Sequence, residues 1–178
     1  MHRNQIKNLL VQYQPTLEIE QKFKGKFLQF IDNEVDCFKR ELLKGHITGS
    51  AFIIDEASTK AVLVHHAKLN CWLQPGGHAD GDSDIMAVTL KEAKEETGLT
   101  NLSILPEIFD IDIHTIPARK QVPEHLHYDV RFLIIADEKE PFIVSSESTD
   151  IQWVGLNDLE KYEVDFSVKR MAQKIYKV

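Results

Sequence analysis

The sequence predicts a mixed α/β domain of the α+β kind, in which helices pack against a mixed β-sheet, preceded by a helical N-terminal extension. Two observations support this prediction. Before Gly45, apolar residues recur at spacings of three or four, the period of an amphipathic helix. After Gly45, short runs rich in β-branched residues alternate with polar turns, which is typical of strands. We therefore divide the chain into a helical extension, residues 1–45, and a main domain, residues 46–178.

The extension contains two predicted helical regions. The first covers residues 2–13 and ends at a proline, and the second runs from Leu17 to about Leu43. Gly25 and the pair Asp32–Asn33 are the places where the second region is expected to break. Gly45 is placed to end it.

The main domain begins with strand-like runs, and further runs follow a loop that contains Pro75. The runs are HITGSAFIID (46–55), AVLVHH (61–66), LSILPEIFDIDIHTI (102–116), HLHYDVRFLIIAD (125–137), FIVS (142–145) and DIQWVGL (150–156). A helix is predicted between the proline loop and Gly98, and a second, amphipathic helix from Asp165 to Tyr176.

Composition limits the function classes. The chain has 178 residues with a net charge of −7 and no basic tract, which argues against binding to a nucleic-acid backbone. No apolar run approaches the roughly 18 residues that span a bilayer, and the N-terminus lacks the pattern of a secretory signal. Cys37 and Cys71 lie far apart, which argues against a disulfide framework or a zinc site. We expect a cytoplasmic protein without membrane partners.

The most informative segment is WLQPGGHADGDSDIMAVTLKEAKEETGL, Trp72 to Leu99. Asp82 or Ser83 is the predicted N-cap of its helix, and Gly98 the residue that ends it. Glu92, Glu95 and Glu96 fall within an arc of about 100° on that helix. Their mutual repulsion requires compensation by water, by basic neighbours or by a cation. Clustered carboxylates suit magnesium best and manganese also.

This segment resembles the signature of the Nudix hydrolases, G-x5-E-x7-R-E-U-x-E-E-x-G-U. Seven of the nine specified positions match, namely Gly77, Glu92, Ala93, Glu95, Glu96, Gly98 and Leu99. Ser83 stands where the family has glutamate, and Lys91 where it has arginine. Lysine cannot reproduce the two-pronged contact of arginine. Lys91 is expected to pair with Asp82 or Asp84, or with Glu95 if this is a plain solvated helix face.

The resemblance covers roughly residues 46–175 and implies an α/β/α sandwich around the mixed sheet. It also implies Mg²⁺-dependent hydrolysis, with Mn²⁺ as an alternative ion, of a nucleoside diphosphate linked to another group. Carried over position by position, Glu92, Glu95 and Glu96 are the implied catalytic metal ligands. The carbonyl of Gly76 is a further candidate ligand. A homodimer is common among relatives.

Four histidines lie near the predicted site: His78, His114, His125 and His127. His125 and His127 are two apart on a strand and share a face, with His114 at the end of the preceding strand. Phosphate binding, positioning of a base, a second metal site and plain strand polarity are the roles open to this group. His78, His125 and His127 are our candidate substrate contacts.

The loop at 116–129 carries Arg119 and Lys120, which are suited to contacts with phosphate. Glu124, Glu147 and Asp150 are candidates for the additional acid that many Nudix enzymes place outside the signature. The sequence does not choose among the three.

Two rival functions stay open. A catalytically silent domain that binds a nucleotide as a sensor is compatible with the departures at Ser83 and Lys91. An enzyme similar to isopentenyl-diphosphate isomerase is compatible with the Gly77–His78 pair, although that branch has a cysteine where this chain has none.

Overall fold

The computed structural model describes residues 2–119 and 122–176, so Lys120 lies outside the described residues. Within these ranges the chain forms four α-helices and seven β-strands, which confirms the predicted mixed fold. The helices are α1 (Asn4–Gln12), α2 (Glu18–Asn33), α3 (Ile85–Thr97) and α4 (Phe166–Ile175). The strands are β1 (Gly45–Asp55), β2 (Lys60–His66), β3 (Cys71–Leu73), β4 (Gly76–His78), β5 (Leu102–Ile116), β6 (His125–Ala136) and β7 (Ser148–Gly155).

The strands join one sheet in the order β3-β2-β1-β6-β5, with β4 beside β1 and β7 beside β2. Strand β2 runs antiparallel to β1, β3 and β7. By internal contacts the chain divides into two compact units. The first unit comprises Met1–Gly49, Gly77–Thr89 and Pro106–Phe132, and the second comprises Ser50–Gly76, Leu90–Leu105 and Leu133–Val178.

In the first unit, helix α2 docks on strand β6 through aromatic side chains. The ring of Phe30 stacks on Tyr128 with centroids 3.9 Å apart, and Phe27 meets the same ring edge-on at 5.3 Å. Such aromatic pairs stabilise packing beyond the area they bury. Docking is therefore the role that the structure gives to the amphipathic face of α2.

In the second unit, a hydrophobic core forms between the sheet and the C-terminal half of α3. It contains the fully buried Ala93 and Leu99 together with apolar residues of β1, β2 and β6. Gly98 follows α3 with φ +75°, and a Cβ there would lie 2.5 Å from Cβ of Ile143. Only glycine fits this helix end, as the sequence predicts.

The second helix passes through Gly25 and ends at Asn33, the second of its expected breaks. Other boundaries differ from prediction. No helix follows over residues 34–43, and Gly45 begins strand β1 with φ +148° instead of ending a helix. Residues 142–145 form no strand, because Ile143 bonds through its N–H to the carbonyl of Thr97 and leaves its side chain exposed. The proline loop contains a short strand, β4.

Helix length and polarity also bear on the membrane question. Among the described residues, no helix is both long enough and apolar enough to cross a bilayer.

Candidate functional site

Helix α3 positions the three carboxylates that the sequence singles out. Asp84 caps its start, since the Asp84 carboxylate accepts a hydrogen bond from the Ala87 N–H at 3.1 Å. The predicted caps were wrong, because Asp82 instead accepts from the Asp84 N–H at 2.9 Å and supports the turn before the helix. A carboxylate at this end also interacts favourably with the helix dipole.

Glu96 is the most buried of the three carboxylates. Burial, followed by the nearby charges of Glu92 and Glu147, raises its pKa to about 8, and a backbone hydrogen bond from Gly76 opposes the shift. A carboxyl group with so little positive compensation accommodates a cation well, because a divalent ion offsets both the desolvation and the repulsion. The donor set consists of oxygens, which fits Mg²⁺ or Mn²⁺.

Glu92 and Glu95 share a basic neighbour. Burial raises the pKa of Glu92, with the charge of Lys91 opposing and the charges of Glu95 and Glu147 adding to the shift. Lys91 lies 3.5 Å from carboxylate oxygens of both Glu92 and Glu95. The expected pairing of Lys91 with Asp82 or Asp84 is wrong, since these two glutamates are its partners.

Among the three acids outside the signature, Glu147 acts on this cluster. Its negative charge contributes to the raised pKa of both Glu92 and Glu96. Its backbone is fixed in place, because its carbonyl accepts from the Ala67 N–H at 2.9 Å. Asp150 instead accepts from the Gln152 side chain at 2.6 Å. Glu124 lies in the first unit, and its side chain is exposed.

The raised pKa of Glu96 predicts how the metal-free protein responds to pH. The unfolded chain ionises Glu96 near pH 4.5, whereas the fold retains the proton up to about pH 8. The folded state thus binds more protons in this window, so the free energy of unfolding falls as pH rises, by at most about 1.4 kcal/mol per pH unit. Urea unfolding in EDTA at several pH values should show this slope.

A Glu96→Gln variant is the matched reference, because glutamine does not titrate. The unfolding free energy of the wild type minus that of the variant should fall from pH 5 to pH 8 and level off above pH 8. A difference independent of pH would contradict the assigned environment of Glu96. Saturating Mg²⁺ should flatten the slope, since the ion favours the ionised carboxylate.

The histidines come together in the first unit. His46 joins the four predicted ones, and the ring centroids of neighbouring members lie 4.9–5.4 Å apart. The members of this histidine cluster are His46 on β1, His78 on β4, His114 on β5, and His125 and His127 on β6.

Burial keeps two rings of the cluster neutral. Burial, with the neighbouring His78 and His125, lowers the pKa of His46 to about 4. The backbone of Leu42 acts in the opposite direction. Burial, with His78 and His114 next, lowers the pKa of His127 to about 2. For His114, burial lowers the pKa but is outweighed by the Asp112 hydrogen bond and the Asp129 charge, which raise it overall.

The same strands carry a buried ion network in the first unit. Arg131 is fully buried, and its Nε donates to Asp129 at 2.7 Å while its Nη1 donates to Asp110 at 3.3 Å. Asp112 lies 3.6 Å from Nη2, and the three carboxylates raise the pKa of Arg131 against the opposing effect of burial. Three negative charges therefore surround one positive charge.

Arg119, the predicted phosphate contact of the 116–129 loop, has an exposed side chain. Its backbone pairs with Val122 through two hydrogen bonds of 2.9 Å. An exposed guanidinium can contact phosphate oxygens.

Two residues of these strands have no predicted role, His46 and Arg131. Gly45–His46 repeats the Gly-His pair of Gly77–His78, although the first pair begins β1 and the second ends β4. Arg131 continues the polar alternation that begins at His125. In β1 and β6, polar residues recur at every second position of an otherwise apolar strand. This pattern is the signal that could have singled out His46 and Arg131.

Comparison with known proteins places these features in context. The family model described as NUDIX domain matches residues 45–175. A search of curated proteins found no match. An Ap4A hydrolase from C. elegans, in a binary complex, superposes with a TM-score of 0.60 at 18% identity, covering 74% of this chain and 95% of that one.

Two further structures share the fold. The NUDIX domain of Shewanella oneidensis NrtR, complexed with ADP ribose, has a TM-score of 0.53 at 16% identity and covers 84% of this chain and 96% of that one. The dihydroneopterin triphosphate pyrophosphohydrolase of E. coli has a TM-score of 0.56 at 11% identity, with 74% and 96% covered. At these identities the likeness establishes the fold.

Proposed function

The chain belongs to the Nudix family, and on this premise we propose that it is a magnesium-dependent hydrolase that cleaves the pyrophosphate linkage of a nucleoside diphosphate derivative with water. The observation that supports this proposal most is the environment of Glu96. Its pKa is raised to about 8 beside two further carboxylates on the same helix, and Lys91 is their basic neighbour. A cluster in which negative charges repel is suited to a divalent cation.

In this proposal Glu92, Glu95 and Glu96 hold Mg²⁺, or Mn²⁺ in its place, together with the carbonyl of Gly76. When bound, the ion neutralises charge that develops on the diphosphate and lowers the pKa of a water. Gly76 has a second task, because its backbone hydrogen bond fixes the carboxylate of Glu96. Ligands fixed in this way bind a metal without first losing side-chain freedom.

Glu147 is our proposed general base. Its side chain is exposed, and its charge acts on Glu92 and Glu96, so it lies next to the ligand cluster. A carboxylate so placed can accept a proton from the attacking water. Glu147→Gln should therefore lower turnover without lowering the affinity for Mg²⁺ as much as loss of a ligand does.

For the diphosphate we propose contacts from His78, Arg119, His125 and His127. Imidazole N–H and guanidinium groups donate to phosphate oxygens, and the exposed Arg119 adds a positive charge. The substrate is a small molecule and not a nucleic acid. We further propose that the protein acts in the cytoplasm, where its free Cys37 and Cys71 stay reduced, and as a homodimer.

A screen of nucleoside diphosphate derivatives tests this function. The panel contains dinucleoside polyphosphates, ADP-ribose-type sugars and nucleoside triphosphates, incubated with Mg²⁺ or Mn²⁺ and read by mass spectrometry. We expect at least one compound to yield products split at the P–O–P bridge, and EDTA to abolish the reaction. Absence of products from every compound would contradict the hydrolase proposal.

A nucleotide sensor without turnover is the second candidate. Lys91 favours it, because its ammonium group pairs with Glu92 and Glu95, two of the proposed metal ligands. Calorimetry on the same panel separates the two functions, since a sensor binds a compound and leaves it intact.

A further inference from the structure

We propose that His46, His125 and His127 form a second metal site, built from nitrogen ligands and selective for Zn²⁺ or a similar late first-row transition ion. One ligand atom from each of these residues lies within 4.8 Å of the others. Three imidazoles suit zinc, whereas Mg²⁺ prefers oxygen. This inference does not depend on the hydrolase proposal, because its residues and its readout are separate from the glutamate cluster.

An independent observation points to a ligand at this place. His46 is only 2% exposed, and neither of its ring nitrogens has a hydrogen-bond partner among the described residues. Nε2 of His127 is likewise buried and without a partner there. Buried polar atoms are nearly always paired, and each neutral imidazole has one nitrogen with a lone pair, so His46 and His127 each have one lone pair to offer to a ligand. A divalent ion accepts such lone pairs from several rings together.

The backbone brings these residues close together. Gly45 allows β1 to approach β6, since a Cβ at Gly45 would lie 2.6 Å from the carbonyl oxygen of Leu126. Leu126 lies between His125 and His127, so the close approach places His46 against both rings. Substitution of Gly45 would therefore open the site as well as strain the chain.

Neighbouring groups determine which ring nitrogen of a histidine is available to bind a metal. The Nδ1–H of His125 donates to the carbonyl of Pro123 at 2.9 Å, which leaves Nε2 with the free lone pair. Such a hydrogen bond to a backbone carbonyl is the usual support of a metal-bound histidine. His114, whose Nδ1 lies 3.2 Å from Asp112, is not among the three histidines whose ligand atoms lie together.

The geometry is close to that of a bound ion. In a tetrahedral site with zinc–nitrogen distances of about 2.0–2.1 Å, the ligand nitrogens lie about 3.4 Å apart. Because the ligand atoms lie within 4.8 Å of one another, they need to approach by at most about 1.4 Å to reach that spacing. Three protein ligands leave a fourth position open, and a phosphate oxygen or water can occupy it. With an ion bound, His125 and His127 would contact a phosphate oxygen through that position in place of direct N–H contacts.

The sequence expectation against a zinc site rested on the two distant cysteines. The structure supplies histidine ligands instead, from two strands that are far apart in sequence. Of the roles left open for the histidines, the second metal site is the one that the unpaired nitrogens favour.

Cobalt binding tests the site. The full chain is prepared without a polyhistidine tag, stripped with a chelator and titrated with Co²⁺ in excess Mg²⁺, so that the hard cation saturates the glutamate cluster. We expect visible d–d absorption that saturates at one equivalent and is displaced by Zn²⁺. We also expect Zn²⁺ to raise the melting temperature. Absence of the absorption band in the wild type would overturn the proposal.

Variants locate the bound ion. His127→Asn and His125→Asn should each weaken cobalt binding at least about 10-fold. Removing a group that merely supports a ligand already lowers metal affinity by this factor, and removing the ligand itself should lower it further. His66→Asn is the matched control, because the His66 ring accepts from the N–H groups of Lys68 and Leu69 and the side-chain carbonyl of asparagine can do the same. Glu96→Gln should leave the cobalt signal unchanged.

Two results would contradict this placement. One is a folded His125→Asn protein, verified by circular dichroism, that binds cobalt as the wild type does. The other is a cobalt signal that disappears in Glu96→Gln and persists in His127→Asn, because the ion would then reside at the glutamate cluster. His125 is half-buried, so its variant is the one expected to fold if His127→Asn does not.

Discussion

Glu96→Gln is expected to lower kcat by about 10²- to 10³-fold, since loss of a charged metal ligand removes about 3–4 kcal/mol of transition-state stabilisation. Glu95→Gln should have an effect of similar size. The substitution keeps the shape of the side chain and removes its charge. At pH 8 and above, the metal-free Glu96→Gln protein should be more stable than the wild type, because an ionised Glu96 is unfavourable in the fold.

The opposite signs of these two effects distinguish a functional role from a structural one. Steady-state kinetics on whichever compound the screen identifies measures the first, and urea unfolding in EDTA measures the second. Glu160→Gln is the control, since it removes the same charge from an exposed position on the short 3₁₀ helix at 159–162. Wild-type turnover in both Glu95→Gln and Glu96→Gln would remove these residues from the mechanism.

Arg131→Met is expected to cost about 3–5 kcal/mol of stability, because it leaves Asp110, Asp112 and Asp129 without their shared counter-charge. For a chain of this length the melting temperature should fall by roughly 6–20 °C. Differential scanning calorimetry measures the shift. Methionine retains much of the arginine stem's volume, so lost packing contributes little.

Arg119→Met is the control for this prediction, because Arg119 is exposed and should tolerate the change within about 0.5 kcal/mol. Adding Asp129→Asn to Arg131→Met should recover part of the lost stability, since it removes one of the uncompensated charges. Equal melting temperatures for Arg131→Met and Arg119→Met would show that the buried network contributes no net stability.

Local patterns made helix α3 predictable. Gly98 required a conformation that only glycine adopts readily, and the spacing of Glu92, Glu95 and Glu96 follows directly from the helical period. The N-cap was missed by one or two residues, because Asp82, Ser83 and Asp84 are all good caps and only backbone geometry decides among them.

Long-range contacts were less predictable. Residues 142–145 have the composition of a strand, but the bond between Ile143 and Thr97 diverts their backbone from the sheet. His46 meets His125 and His127 only because β1 lies beside β6, a pairing that no local pattern specifies. The choice of Glu147 among three acids likewise required the placement of its loop.

The most direct test of the account is an anomalous difference map from crystals grown with Mn²⁺ and a slowly hydrolysed nucleoside diphosphate analogue. We predict a peak among the carboxylates of Glu92, Glu95 and Glu96, close to the analogue's phosphates. A map with no peak there, even with the analogue bound, would contradict the claim that this helix binds the catalytic ion.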